Sequence, residues 1–268
     1  MVFLICKISN FAPKLIKNPV RRMNLVIDFG NTRCKFYFFE GDHLSNTIIF
    51  DNRDADFSEK VLTIVNNSKI NNAILSSVGE GSEVLTDLLS SCCNLIVLDF
   101  NTSIPISNSY DHPEQLGNDR LAAAVGASVL FPGRDAMVVD AGTAITYEFI
   151  EAGKRYLGGC ISPGIGLRFA SLHEHTAKLP LLQPSPVSKK IPTDTQSAIN
   201  NGVINGVLAE IEWFVAYSKQ KFNNPAIIFT GGDTIFLAGK LKNTIFAEPN
   251  LVAIGLNRIL QYNVSEND

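Results

Sequence analysis

The stretch that decides the fold is LVIDFGNT at residues 25–32, an apolar run that ends in an acid, a glycine, an amide and a hydroxyl. A similar stretch, MVVDAGTA, returns at residues 137–144. In each, the acid at the strand end can hold a hydrated cation, and the glycine lets the backbone approach a ligand closely. One such segment is usually an ordinary β-turn. Two copies after Val and Ile runs predict a duplicated α/β domain that closes over a nucleotide.

The composition fits a globular protein and argues against several other classes. The chain has 268 residues, enough for one large domain or two moderate ones with an ample core. Its net charge of −3, without long Lys/Arg runs, argues against a nucleic-acid partner, because neutralising phosphates needs a concentrated basic surface. No apolar run approaches the roughly 18 residues of a membrane span. We therefore expect neither a nucleic-acid partner nor a membrane partner.

Cysteine and histidine usage gives no sign of a transition-metal site. The five cysteines are odd in number and lack C-x-x-C spacing, and the four histidines form no H-x-x-x-H pair. The adjacent Cys92 and Cys93 are interpreted as small hydrophobic residues at a helix end. This usage fits a reducing compartment, so we expect a cytoplasmic protein.

The first 22 residues differ from the rest of the chain. They carry five basic residues and no acid, and Met23 stands directly before the first expected strand. A secretory signal would place its basic residues ahead of the apolar stretch and end at a small-residue cleavage site, and neither holds here. We interpret residues 1–22 as a nonessential extension and Met23 as the working N-terminus.

The first half of the chain alternates between strand and helix signals. Residues 34–40 are rich in aromatic side chains and lead to a turn signal at Gly41 and Asp42, which predicts a pair of antiparallel strands. Helix signals then alternate with strand signals, at residues 57–67, 73–78, 81–91 and 95–98. This alternation favours an open α/β sheet over an all-β barrel.

The second half of the chain also alternates between strand and helix signals. An alanine-rich stretch at residues 117–127 predicts a helix with Asn118 or Asp119 as its N-cap. A strand at residues 145–150 is expected to continue antiparallel to the second D-x-G-T strand. Residues 158–164 are too rich in glycine for a strand interior, so we expect them to pack closely against a ligand or the sheet. Residues 180–195 hold several prolines and predict a surface loop.

Two elements follow that loop. One helical face carries apolar side chains, with Trp213 expected at its edge; the face comprises Val207, Leu208, Ile211, Phe214 and Val215. The stretch at residues 226–230 predicts a strand that ends in Gly231, Gly232 and Asp233. We interpret this third strand-to-glycine turn as a lid over an adenine or a ribose.

Five motifs in order resemble one bacterial enzyme family. They are D-x-G-N-T from Asp28, G-x-D-R from Gly117, D-x-G-T-A from Asp140, G-G-x-I-x-P-G from Gly158 and T-G-G-D from Thr230. Each alone is weak, but together they are similar to the type III pantothenate kinases, in the superfamily of actin, hexokinase and acetate kinase. The resemblance runs from about residue 23 to about residue 259. It implies a duplicated actin-like ATPase (ribonuclease H-like) α/β fold with halves at 23–115 and 116–268 and a nucleotide cleft between them.

The resemblance also assigns residues to ATP and to ions. The implied ATP-binding residues are Asp28, Phe29, Gly30, Asn31, Thr32, Arg33, Cys34, Lys35 and Thr143. Asp28 would hold Mg²⁺, directly or through water, and Asp140 would bind a monovalent cation, K⁺ or NH₄⁺. The residues alone leave open that Lys35 is only a solvated charge on a strand.

A second set is implied for pantothenate. It comprises Tyr110, Gly117, Asn118, Asp119, Arg120 and Thr195. Asp119 would be the general base, although it could instead cap the helix; the two roles can coexist, because a helix N-terminus stabilises an ionised carboxylate. Arg120 could pair with a structural acid or with the pantothenate carboxylate, which suits an arginine fork.

The implied activity is ATP-dependent phosphorylation of pantothenate, the first step of coenzyme A biosynthesis, by a homodimer. The alternative is a non-catalytic regulator on the same fold, since some relatives are described as transcription accessory factors. Such a regulator should have lost Asp119 or the D-x-G turns, which this chain keeps. A sugar kinase of the superfamily would usually be longer and carry a separate sugar-binding signature.

Overall fold

A computed structural model describes residues 23–30, 33–51, 57–67, 70–77, 83–188, 190–241 and 244–265. The expected extension at residues 1–22 lies outside these ranges, as do Asn31 and Thr32 of the first motif. The described residues form two compact units. The second unit is Phe131–Pro249, and the first unit comprises the described residues before Phe131 and after Pro249.

The first unit contains a five-stranded sheet. Its strands are β1 (Met23–Phe29), β2 (Arg33–Glu40), β3 (His43–Asp51), β4 (Ile70–Ser77) and β5 (Asn94–Val97), in the order β3-β2-β1-β4-β5. β1, β2 and β3 are antiparallel neighbours, whereas β4 and β5 run parallel to β1. The antiparallel pair expected around the Gly41 turn is therefore confirmed. The strands expected near residues 73–78 and 95–98 are confirmed as β4 and β5. A two-residue strand, β6 (Ser107–Asn108), follows later.

Two helices cover one face of this sheet, α1 (Phe57–Asn67) and α2 (Glu83–Ser90). Alternate residues of β1 point toward them, because side chains alternate between the faces of a strand. Leu25 and Ile27 thus join Val61 of α1 and Leu85 of α2 in one buried cluster. The sequence predicts helices at residues 57–67 and 81–91. α1 confirms the first, and α2 confirms the described part of the second.

The second unit repeats the topology of the first. Its strands are β7 (Ala136–Ala141), β8 (Ala144–Glu151), β9 (Arg155–Pro163), β10 (Ala226–Thr230) and β11 (Phe246–Ala247), in the order β9-β8-β7-β10-β11. β7, β8 and β9 are antiparallel neighbours, and β10 and β11 run parallel to β7. The order and directions of these strands equal those of the first sheet, which confirms the duplication predicted from the two D-x-G segments.

The glycine-rich stretch at residues 158–164 corrects one expectation. Its first six residues form the second half of β9 rather than an irregular segment. The ladder with β8 provides the backbone hydrogen bonds, and an irregularity between Phe149 and Ile150 lies opposite Gly158, whose φ is +114°. Pairing with a neighbouring strand therefore outweighs the low strand propensity of glycine.

Three helices belong to the second unit: α4 (Ile165–Glu174), α5 (Thr195–Lys221) and α6 (Thr234–Ala238). Val207, Ile211 and Val215 of α5 are buried against β7 and β8, which confirms the expected apolar face. Trp213 is 60% exposed and stacks on Tyr217. The described residues of 180–194 form neither helix nor strand, as expected for the proline-containing loop.

The remaining helices, α3 (Asn118–Leu130) and α7 (Leu251–Ser265), pack together with almost no side chain between them. A Cβ on Gly255 would overlap the Ala122 carbonyl oxygen, so only glycine permits this approach. Both helices belong to the first unit, so the predicted boundary at 115/116 differs from the observed division. No helix in the described part of the chain is long and apolar enough to cross a membrane.

Candidate active site

Asp28 lies at the end of β1, opposite Lys35 of β2. The Lys35 Nζ is 3.6 Å from the Asp28 Oδ2, and the two side chains are 39% and 22% exposed. Beyond the strand, the Gly30 amide donates to the Arg33 carbonyl at 3.0 Å and closes the turn. The first motif therefore presents a half-buried carboxylate with one ammonium group close by.

The surroundings of Asp28 raise its pKa above the ordinary aspartate value. Burial is the largest cause; the Lys35 charge opposes it, and the charge of Asp119 adds to it. A carboxylate as distant in sequence as Asp119 acts on Asp28 only because the fold brings them near one another. The acid of the first motif and the expected general base are therefore close together in the first unit.

Asp119 stands in the first turn of α3. The helix begins at Asn118, and the Gly117 carbonyl accepts from the Leu121 amide at 3.1 Å, so Gly117 rather than Asn118 or Asp119 occupies the capping position. The Asp119 Oδ1 accepts from the Arg120 amide at 2.9 Å. A carboxylate in this turn is stabilised by the positive end of the helix dipole.

Two expected pantothenate residues, Tyr110 and Arg120, are in contact. Arg120 is only 5% exposed, its Nη1 lies 3.4 Å from the Tyr110 hydroxyl, and its guanidinium carbon lies 5.6 Å from the ring centroid. Asn118 fixes the start of the helix nearby, because its Nδ2 donates to the Leu98 carbonyl at 2.9 Å. The structure thus places a buried guanidinium beside the Asp119 turn, where a ligand carboxylate could meet it.

Two residues of the expected ATP set have side chains in the core. Phe29 and Cys34 belong to the buried cluster beneath α1 and α2, and burial raises the pKa of the Cys34 thiol to about 12. Any contact of these two residues with a nucleotide would therefore come from their backbone.

The second unit brings three motifs together around Asp140. After β7, the Gly142 amide donates to the Ala144 carbonyl at 3.0 Å. The Gly164 amide, at the end of the glycine-rich motif, donates to the Thr143 carbonyl at 3.0 Å. Thr143 itself is exposed at the tip of the turn. The glycine-rich motif therefore buttresses the second D-x-G-T turn.

The T-G-G-D motif packs on the other side of the same turn. Gly231 has a φ of +89°, and a Cβ there would overlap both the Asp140 Oδ1 and the Ala141 carbonyl oxygen. The Asp233 amide donates to that carbonyl at 2.9 Å, and burial raises the pKa of the Asp233 carboxyl. Sequence reasoning assigned Asp233 no individual role; it lies three residues beyond the end of β10, whereas Asp28 and Asp140 lie within their strands.

Thr195 is the first residue of α5 rather than part of the proline-containing loop. Its neighbour Asp194 caps the helix by accepting from the Ser197 amide at 2.9 Å. Thr195 lines a cavity of about 690 Å³ together with Leu167, Arg168 and Gly202. Thr195, Asp140 and Thr143 belong to the second unit, whereas the other expected site residues belong to the first.

One polar cluster was missed by sequence reasoning. Glu210 on α5 accepts from Tyr147 at 2.8 Å, from Arg168 at 2.6 Å and from Ser162. Burial raises its pKa, but the hydrogen bonds from Arg168, Ser162 and Tyr147 outweigh burial and hold the pKa below the ordinary glutamate value. The cluster ties α4 and α5 to β8 and β9.

The donor chemistry around the two acids suits hard cations. Within the described ranges, no group of three or more His, Cys, Asp and Glu side chains could hold a metal ion by itself. Magnesium is usually bound through one or two carboxylates plus water and phosphates, which the single carboxylate of Asp28 fits. At Asp140, the carboxylate and the nearby Ala141 carbonyl are oxygen ligands of the kind that cations such as potassium take.

Comparison with known proteins points to one family. A family model described as type III pantothenate kinase matches residues 24–217. The type III pantothenate kinase of Christiangramia forsetii is 40% identical to this chain, over 91% of this chain and 100% of its own length. That of Bacteroides fragilis strain YCH46 is 40% identical, over 90% and 98%.

Solved structures are similar in fold at low identity. A Campylobacter jejuni protein described as a Baf family transcriptional activator has a TM-score of 0.61 and 24% identity, covering 90% of this chain and 99% of its own. The ROK hexokinase of Thermus thermophilus has a TM-score of 0.50 and 11% identity, covering 90% and 99%. These likenesses confirm the predicted actin-like ATPase fold and carry no information beyond the fold.

Proposed function

Because the chain belongs to the type III pantothenate kinase family, we propose that it transfers the γ-phosphate of ATP to pantothenate, the first step of coenzyme A biosynthesis. The observation that carries the proposal is the proximity of two carboxylates on separate elements, since the charge of Asp119 contributes to the raised pKa of Asp28. Phosphoryl transfer needs this combination, a carboxylate for the metal ion and another for the proton of the attacking hydroxyl.

Asp119 serves as the general base. Its carboxylate takes the proton of the primary hydroxyl of pantothenate as that oxygen attacks the γ-phosphate in line. Asp28 would hold magnesium, and that ion would neutralise the charge of the phosphates. Lys35 would supply a further positive charge next to Asp28.

Arg120 and Tyr110 bind the other end of the substrate. Pantothenate carries a carboxylate, and the buried Arg120 guanidinium offers the fork that such a group prefers. Contact with Tyr110 holds the guanidinium in place, so that little rotational freedom is lost on binding. Gly117 and Asn118 are proposed to contact pantothenate as well, and Thr195 of the second unit is a separate proposed contact.

Asp140 and Thr143 form the proposed cation and nucleotide contacts of the second unit. The Asp140 carboxylate binds K⁺ or NH₄⁺, and Thr143 contacts ATP from the exposed tip of its turn. The rate should therefore rise with potassium or ammonium in the presence of magnesium, while sodium should substitute poorly. Equal rates with potassium, sodium and a bulky organic cation would remove the cation role from Asp140.

We further propose a cytoplasmic homodimer. The second unit exposes several large apolar side chains, Ile161, Leu167, Trp213 and Tyr217. Trp213 and Tyr217 stack on one another, and contiguous exposed apolar side chains are typical of an interaction surface. Sedimentation should give twice the chain mass of 29.3 kDa, and a monomer at working concentration would contradict the dimer.

The experiment that tests the function is a coupled assay of ADP release with pantothenate as the acceptor. ADP should appear only when pantothenate or a close analogue is present. Asp119→Asn should lower turnover by about 10² to 10⁴, the usual effect of removing a positioned general base. Calorimetric titration with Mg·ADP should show that nucleotide binding survives. Near-full activity of Asp119→Asn would reduce Asp119 to a structural residue of the helix start.

The competing function is a non-catalytic regulator. The C. jejuni structure is described as a transcriptional activator, but that description belongs to that protein. That likeness is at 24% identity and concerns the fold, whereas this chain keeps the acids Asp28, Asp119 and Asp140 in their turns. A folded chain that releases no ADP with pantothenate would favour the regulator.

A further inference from the structure

Ser76, the seventh residue of β4, has a hydroxyl without a partner among the described residues. Its side chain is 1% exposed, and its Oγ makes no hydrogen bond to the described part of the chain. Nearly all buried polar groups in native proteins are hydrogen-bonded, because an unpaired one lowers the stability of the fold. The Ser76 hydroxyl therefore calls for an explanation.

The strand register places Ser76 beside Asp28. β1 and β4 are parallel neighbours in which Asp28 pairs with Ser76, so both side chains lie on one face of the sheet. The same face carries Asn24 of β1 and Asn72 of β4, a register pair four residues earlier. The Asn72 Nδ2 donates to the Asn24 Oδ1 at 3.2 Å, so paired side chains on these strands can reach each other.

The Asp28 carboxylate is thus flanked from two strands. Lys35 approaches from β2, with its Nζ 3.6 Å from the Asp28 Oδ2. Ser76 stands on the opposite side, on β4, because the sheet order is β2-β1-β4. Rotation about the Cα–Cβ bond of Ser76 redirects its hydroxyl without moving the backbone.

The duplicated half repeats the arrangement. Asp140 of β7 pairs in parallel register with Thr230 of β10, which is also 1% exposed. Both halves therefore place a buried hydroxyl residue in the strand next to the acid. In the second half the hydroxyl has an acceptor, the Pro249 carbonyl at 3.5 Å, whereas the Ser76 hydroxyl has none among the described residues.

We propose that Ser76 is a positioning residue for phosphoryl transfer: when the magnesium nucleotide is bound, its hydroxyl donates a hydrogen bond to the Asp28 carboxylate and fixes the orientation in which that carboxylate holds the ion's water shell. The inference rests on the proposed function of this site. In this proposal the Ser76 hydroxyl gains its hydrogen-bond partner when the magnesium nucleotide is bound. Asp28 then needs a second donor in addition to Lys35.

Ser76→Ala separates this role from a structural one. Removing an unpaired buried hydroxyl should leave the urea unfolding of the ligand-free protein unchanged or make it more resistant. Calorimetric titration with Mg·ADP should show an affinity about tenfold weaker, the usual effect of one hydrogen bond to a charged group. ADP without magnesium should bind as it does to the wild type, since the hydroxyl acts through the ion.

The matched control is Ser218→Ala. Ser218 is also fully buried, but its hydroxyl donates to the Val215 carbonyl at 2.9 Å on α5. This variant should lower the stability of the ligand-free protein somewhat and leave the affinity for Mg·ADP unchanged. Ser76→Ala should therefore change the affinity for Mg·ADP and not lower the stability, whereas Ser218→Ala should lower the stability and not change that affinity.

A double-mutant cycle tests the partner. In the Asp28→Asn background, Ser76→Ala should change the affinity for Mg·ADP no further, because the acceptor carboxylate is gone. An equal loss in both backgrounds, or an unchanged affinity in Ser76→Ala alone, would overturn the proposal. The readout does not involve pantothenate. A wild-type chain that bound Mg·ADP without phosphorylating pantothenate would overturn the proposed function and leave this test valid.

Discussion

The surroundings of Asp28 and those of Glu210 differ in how completely their polar groups are satisfied. Both Glu210 oxygens accept hydrogen bonds, one from Tyr147 and Ser162 and the other from Arg168. Asp28 has the Lys35 ammonium at 3.6 Å, and the buried Ser76 hydroxyl beside it makes no hydrogen bond among the described residues.

The pKa directions follow from that difference. Burial raises the pKa of both carboxyls. At Glu210 three donors outweigh burial, and the net pKa falls below the ordinary value. At Asp28 the Lys35 charge does not outweigh burial and the charge of Asp119, so the net pKa rises. The fold satisfies the Glu210 carboxylate fully, whereas among the described residues Asp28 has fewer donors, which is expected where a substrate and its ion complete the site.

The largest expected effect is on turnover. Asp28→Asn should lower kcat by at least about 10²-fold, because a neutral amide holds the magnesium nucleotide poorly and metal stabilisation of the transferring phosphate is worth several kcal/mol. Glu210→Gln should keep kcat within about threefold per folded molecule, since its partners serve packing. The measurement is steady-state ADP release with pantothenate, corrected for the folded fraction by circular dichroism.

The control for both is Glu212→Gln, the same kind of change at a half-buried position two residues along α5. It should behave as the wild type. If Glu210→Gln lost as much activity as Asp28→Asn, the comparison would break, and the Glu210 cluster would have to be counted as part of the catalytic machinery.

The sequence predicted the parts of the site that depend on local turn chemistry. The two D-x-G segments predict strands with an acid near their ends, and β1 and β7, which occupy equivalent places in the two sheets, confirm this. The alanine-rich stretch predicted α3, whose small side chains admit the backbone of α7 at Gly255. In each case the short run of residues itself contains the physical reason for the element that it forms.

What the sequence could not predict depends on contacts between distant residues. Glu210 lies 63 residues from Tyr147 and 42 residues from Arg168 in the sequence. No sequence motif near these residues indicates that they form a cluster. Ser76 became informative only through its register with Asp28. The glycine-rich half of β9 does not read as a strand in the sequence, because its stability comes from the β8 ladder rather than from its own residues.

The second expected effect is on stability at Glu210. Glu210→Gln should lower the free energy of unfolding by about 1–3 kcal/mol, because it weakens the bond to Arg168 and leaves that guanidinium partly unpaired. Since the folded pKa lies below the unfolded one, the contribution is full above the ordinary glutamate pKa of about 4. It is lost as the pH falls through the folded value. Urea unfolding of both proteins should therefore converge on acidification, and an equal difference at all pH values would contradict the charge-based account.

The smallest effect has the opposite sign and concerns the ligand-free stability of Asp28→Asn. Because the folded protein raises the pKa of Asp28, it binds that proton more tightly than the unfolded chain does. Wild-type stability must then fall as the pH rises from the ordinary aspartate pKa of about 4 to the folded value, and the full cost remains at neutral pH. The neutral amide of the variant would carry no such cost, although Lys35 loses its partner, so we expect Asp28→Asn to be more stable by about 1 kcal/mol or less at pH 7. Urea unfolding from pH 7 downward should show the advantage disappearing below the ordinary aspartate range. A variant that is less stable at pH 7 would mean that ionised Asp28 stabilises the ligand-free protein. The carboxylates of Asp28 and Glu210 would then both stabilise the fold and differ only in the size of that effect.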